Sequence, residues 1–234
     1  MRPAAILLAL LLAGCATEMD RHGRTETKVD AKYLVKTEID RVADADRRAV
    51  VDSLLLIADK LYKRNPKEWR KSGQPNREAA LDRLRQRSTQ AWPELQGRRE
   101  GEAAALAFSG AYSGDRVAAL MFGLLSMVDA AFEQKEEFYV LDSLNETKLY
   151  NCARNMEVAI WKLSSERQPG GELFLLANEL DPANRNLSFE REFGRIIGLL
   201  DLMAKIIADR NGRTLSSVTQ AVVSTIFLPI SFLK

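Results

Sequence analysis

Residues 113–136 read SGDRVAALMFGLLSMVDAAFEQKE, and this run decides the fold. Val117, Leu120, Met121, Leu124, Val128, Ala131 and Phe132 recur at three- and four-residue steps, the spacing of one face of an α-helix. Ala118, Ala119, Gly123 and Ala130 keep the rest of the surface small, so neighbours can approach from several sides. The spacing predicts a central helix that opens at Ser113-Gly114-Asp115 and runs to about Glu136, with Phe138, Tyr139 and Leu141 available to continue it.

Two more amphipathic runs belong with it. Leu149, Cys152, Ala153, Met156, Ala159, Ile160 and Leu163 predict a helix over 146–166, ended by Pro169-Gly170-Gly171. Ser143 followed by Glu146 fits a capping box for its start. Phe189, Phe193, Ile196, Ile197, Leu200, Met203 and Ile207 predict a helix over 188–209, capped by Ser188 and stopped by Asn211-Gly212. Asn145-Glu146-Thr147 and Asn186-Leu187-Ser188 match the glycosylation pattern but read here as helix caps.

Upstream, Val35, Ile39, Val42, Val50, Leu54, Ile57 and Leu61 predict helix over 30–63, as one bent helix or two, because Asp44 and Asp46 interrupt the apolar face. Asn65-Pro66 signals a short helix through Glu68 and Trp69, with Asn65 as its cap. Residues 77–88 and Ala103–Phe108 read as further helices, and Thr214 opens a last one ended by Pro229. Val218 to Leu233 reads as core helix plus buried tail, with membrane contact or a partner's groove as the alternative. The expected class is all-α: a compact multi-helix bundle of six or seven helices, with room for one small β-hairpin near 173–187.

The chain has 234 residues, 46% hydrophobic and 28% charged, with a formal net charge of +2. These are ordinary globular values, and the charge balance argues against a nucleic-acid binder. The one histidine, His22, argues against a His-based metal site or a Ser-His-Asp triad, so no metal or cofactor is expected. The two cysteines are Cys15 and Cys152. Cys152 falls on the inward stripe of its helix and reads as a small core residue.

The N-terminus carries the strongest motif. Arg2 precedes an apolar run from Ala4 to Ala13, too short for a bilayer span but suited to the h-region of a secretory signal. Leu12-Ala13-Gly14-Cys15 follows. This stretch resembles the lipobox of bacterial lipoprotein precursors at all four positions, and the resemblance covers only about the first 16 residues. It implies that Cys15 receives a diacylglyceryl group, that the chain is cut before Cys15, and that the new amine is acylated. Several acyl chains give stable anchoring where one is marginal. Ala16, where Asp favours inner-membrane retention in this class, points to the outer membrane, facing the periplasm. The expected organisation is 1–14 signal peptide, 15–29 lipidated Cys15 with a flexible polar tether, and 30–234 helical domain.

Three surface features carry candidate chemistry. Residues 60–100 hold twelve basic and five acidic side chains, prominent among them Lys63, Arg64, Lys67, Arg70, Lys71, Arg83, Arg85 and Arg87, interleaved with Tyr62, Trp69 and Trp92. They form a candidate face for an anionic envelope partner, either lipid head groups, peptidoglycan carboxylates or an acidic protein. Solvated helix faces, or neutralisation within the fold by the acidic stretch 129–146, are the plainer explanation. Glu179, Asp181, Glu190 and Glu192 cluster in sequence, with Asp201 beyond, and paired carboxylates suit a cell-wall hydrolase. Gly194 and Gly198 would let a helix backbone approach closely, with Asp201 and Lys205 as a surface pair.

The leading expectation is a lipid-anchored cell-envelope protein acting through contacts, as a non-catalytic interaction, assembly or accessory factor. An envelope enzyme using the carboxylates near 179–201 is the alternative, and a site for a small apolar ligand within the bundle is a third.

Overall fold

The computed structural model describes residues 15–19, 25–29, 36–178, 186–212 and 226–231. Among them are seven α-helices: α1 Glu38–Arg64, α2 Glu68–Lys71, α3 Arg77–Arg85, α4 Glu100–Leu106, α5 Arg116–Ala131, α6 Glu146–Ser165 and α7 Ser188–Arg210. A single 3₁₀ turn, Pro93–Leu95, joins α3 to α4. The class is all-α, as the apolar spacing dictates.

The stretch read as a polar tether contains one local element. The backbone of Cys15–Met19 (β1) pairs antiparallel with Thr25–Val29 (β2), Cys15 opposite Val29 and Met19 opposite Thr25. Thr17, Thr25, Thr27 and Val29 are β-branched, and such residues favour extended backbone even in a polar stretch.

The chain divides into two compact units, and 137–143 groups with the chain up to Ala45. The smaller unit comprises 1–45 and 137–143. Its described part is ordered by polar contacts. Thr37 and Asp40 cap the start of α1 reciprocally: Thr37 N donates to Asp40 Oδ2 at 2.7 Å, and Asp40 N donates to Thr37 Oγ1 at 3.2 Å. Asp44 does not break α1. Its carboxylate accepts Phe138 N at 2.8 Å and pairs with Lys36, whose ammonium lies 4.8 Å from the Tyr139 ring centre.

The larger unit comprises 46–136 and 144–234, and α5 is its centre. All sixteen residues of α5 are buried, not only its apolar stripe. Each fully buried Leu, Val or Met there stabilises by about 1.5–3 kcal/mol relative to exposure. α4 crosses at Gly123, where a Cβ would stand 2.5 Å from Ala104 N and 2.6 Å from Glu100 O. α2, α3 and α6 also pack against α5, and α7 packs along α6. Cys152 is fully buried on the inner face of α6, as expected.

The helix ends correct several local expectations. α5 starts one residue after Asp115, whose Oδ1 accepts Ala118 N at 2.8 Å. It stops at Ala131, because Glu133 and Gln134 take left-handed φ of 53° and 59°, so Phe138, Tyr139 and Leu141 do not extend it. Asn145, not Ser143, caps α6 by accepting Thr147 N and Lys148 N. Asn186, not Ser188, supplies the oxygen at the start of α7, accepting Ser188 N at 3.0 Å. Asn76 caps α3. Arg167 and Leu173 form one antiparallel bridge around the Pro169-Gly170-Gly171 turn. Part of the expected hairpin, 179–185, and most of the expected last helix, 213–225, lie outside the described residues, while 226–231 is not helical. No helix of the described residues is long and apolar enough to cross a membrane.

Candidate functional site

The corner between α1 and α2 carries five of the eight predicted basic residues, Lys63, Arg64, Lys67, Arg70 and Lys71, and buried acids hold it in place. Glu68 opens α2 and is itself buried. Its Oε2 accepts Arg116 N at 2.7 Å, taking a free amide at the N-terminus of α5, while Oε1 accepts Lys71 Nζ at 2.6 Å. Asp115 completes the same corner: Tyr62 OH donates to Oδ2 at 3.0 Å, and Ser72 Oγ donates to it at 3.1 Å. Burial raises the Asp115 carboxyl from 3.8 to about 6, against the opposing pull of its hydrogen bonds. Burial also raises the Tyr62 phenol well above its usual value, with Asp115 adding to the shift.

Asn65 fixes the other side of the corner. Its Nδ2 donates to Leu61 O at 2.8 Å and Leu176 O at 2.9 Å, and its Oδ1 accepts Leu176 N at 2.9 Å. Asn65 therefore clamps 176 against the end of α1 and does not cap α2. The Leu176 side chain is left half exposed.

The eight predicted basic residues separate into two groups. Arg83 lies under Trp92, 4.0 Å from its ring centre, and forks onto Glu94 at 2.6 and 3.2 Å. Arg87 forks onto Asp129 at 2.7 and 2.6 Å, and Arg47 adds a third bond to Asp129 at 2.9 Å. These two arginines hold the fold and do not belong to an open face. Lys63 pairs with Asp59, and Arg85 with Asp82, both on exposed helix surface. Lys71 is tied to Glu68, and Arg64 is engaged within the fold. Lys67 and Arg70 are exposed and have no carboxylate partner among the described residues. Arg70 stacks 4.6 Å from the centre of the Trp69 ring, an attractive cation–π geometry.

A second concavity lies between α4 and 226–231. It encloses about 640 Å³, within the range of small-ligand sites, and opens at the surface beside α4. Gly101 admits the C-terminal segment, since a Cβ there would stand 2.6 Å from Phe227 Cβ. The fully buried Asn155 grips Leu228 by both backbone groups, at 2.9 and 2.6 Å. Asn151 Nδ2 donates to Pro229 O at 3.2 Å, and the Ser231 hydroxyl donates to the Glu100 carboxylate. The lining mixes Arg99 and Lys162 with Glu100 and Glu102. Lys162 is already paired with Glu166 at 3.0 Å.

The described members of the predicted carboxylate set each have a partner of their own. Glu190 accepts from Asn178 Nδ2 at 2.9 Å, Glu192 lies 3.6 Å from Lys60, and Asp201 pairs with Arg154 at 2.6 Å. Arg154 also holds Glu157 at 2.8 Å, and burial raises the Glu157 carboxyl. Glu179 and Asp181 lie outside the described residues. Asp201 thus pairs with Arg154 rather than with Lys205. Gly194 and Gly198 face open space, so neither admits a neighbouring backbone; Gly123 does that instead. No group of three or more His, Cys, Asp or Glu that could hold a metal ion occurs among the described residues.

The sequence reading missed Asn65 as a clamp, Leu176 as part of the corner, and the α4 crevice. Only the apolar run Leu173–Ala177 hinted at the second. Comparison of the chain with protein-family models, with curated proteins and with solved structures finds no match.

Proposed function

We propose that this chain is a lipid-anchored protein of a bacterial cell envelope, held by acyl chains on Cys15 and acting through contacts of its helical units, not through catalysis. Leu12-Ala13-Gly14-Cys15, after the charged and apolar segments of a secretory signal, carries the reading. Ala16 favours the outer membrane, with the domain facing the periplasm. The buried acids Glu68, Asp115 and Asp129 each serve a cap or an ion pair, which supports a structural use of buried charge. The exposed Lys67 and Arg70 support an anionic partner within the envelope.

The test is Cys15→Ser followed by cell fractionation. The native protein partitions into detergent with the membrane, and the variant is released or persists as uncut precursor. Unchanged processing and partition would remove the anchor from this reading.

A further inference from the structure

We infer that the α1–α2 corner is a docking surface for the anionic head groups of a phospholipid bilayer. The inference rests on the envelope placement proposed above and names the partner of the basic residues.

Residues 59–78 carry seven basic and three acidic side chains. Of the three acids, Glu68 is buried beneath the corner, where it holds Arg116 N and Lys71. The outer face therefore keeps an excess of positive charge, concentrated on Lys67 and Arg70. Trp69 stands between them in sequence, half buried, with the Arg70 guanidinium on its ring. Leu176, its backbone clamped by Asn65, adds a half-exposed apolar side chain. Basic groups meet phosphates at the depth where an indole and a leucine enter the acyl boundary, the composition of an interfacial contact. Two devices keep this surface rigid: Glu68 pins α2 to the N-terminus of α5, and Asn65 pins 176 to α1. Docking thus freezes few additional rotamers. An acidic protein surface would match the charge equally well, but it gives no reason for Leu176 to stand half exposed, held by Asn65, at the end of the helix that leads to the partly exposed Trp69.

Each basic group near an anionic surface contributes about 1 kcal/mol, so Lys67 and Arg70 together give about a 30-fold preference for the docked state. The experiment uses native lipidated protein reconstituted in vesicles, with quenching of tryptophan fluorescence by lipids carrying a doxyl group on the acyl chain. Trp69→Phe isolates the contribution of Trp69 by difference. Quenching is expected in phosphatidylglycerol vesicles, not in phosphatidylcholine, and it falls in high salt. Lys67→Ala with Arg70→Ala should lower the ratio of docked to undocked protein about 30-fold, and Leu176→Ser should weaken docking at constant charge. Equal quenching in both lipids, or quenching unaffected by the double substitution, would overturn the inference. So would a Trp69 that stays unquenched in protein-free phosphatidylglycerol vesicles, which would make the corner a protein contact. Failure of the anchor is separable, because unlipidated protein does not remain with phosphatidylcholine vesicles, where the corner does not dock.

Discussion

Replacing Arg87 with alanine should destabilise the larger unit far more than the same change at Arg85, two residues away. Arg87 donates twice to Asp129 over 2.6–2.7 Å, and the two side chains are only 10% and 12% exposed. Removing one member of such a pair leaves a charge in a site built for its partner, at a cost of about 3–5 kcal/mol. Arg47 continues to donate to Asp129 Oδ1 at 2.9 Å, which brings the loss to the lower end of that range or below it. We expect about 2–3 kcal/mol, or a fall in Tm of about 4–12 °C for a unit of this size. Arg85 pairs with Asp82 at 2.6 Å, but both side chains are more than half exposed. Arg85→Ala should cost no more than about 0.5 kcal/mol. Urea unfolding of the whole chain followed by circular dichroism measures both, with the slope m required to stay constant. Equal, small losses at the two positions would refute the assignment of Arg87 to the fold and return it to the open basic face.

Three other consequences are open to direct measurement. Asp115 has a folded pKa raised from 3.8 to about 6, so the folded state binds its proton more tightly than the unfolded chain. Its contribution to stability is complete below about pH 4 and is lost as pH rises through 6; Asp115→Asn should flatten Tm against pH in that window, and an unchanged slope would rule out Asp115 as the source. Gly123→Val places atoms against Ala104 N and Glu100 O and should cost at least about 1–3 kcal/mol, whereas Gly194→Ala meets open space and should stabilise α7 by about 0.5–1 kcal/mol. Burial raises the Cys152 thiol well above its usual value, so iodoacetamide at pH 8 should label it only after unfolding; rapid labelling of native protein would contradict its core position.

The parts of the fold that were legible in the sequence are those set by apolar spacing. α5, α6 and α7 follow from stripes at three- and four-residue steps, and the burial of Cys152 follows from the same stripe. What the sequence did not reveal depends on which partner a polar group finds. Ser143 and Asn145 are both good caps, and only the path of the chain into α6 selects Asn145. Gly123, Gly194 and Gly198 look alike in sequence, yet only Gly123 faces a crossing helix. The basic run from Lys63 to Arg87 reads as one face because local spacing does not show that Arg87 will meet Asp129, 42 positions on. Leu176 joins the end of α1 through an asparagine 111 positions earlier, a contact no periodicity encodes.

The central claim is that Cys15 is the first residue of the mature chain and carries the lipid. Mass spectrometry of the N-terminal peptide from membrane-extracted protein tests it most directly. The account predicts a peptide beginning at Cys15 with a diacylglyceryl group and an acylated amine. A mature N-terminus elsewhere, or an unmodified Cys15 thiol, would contradict it.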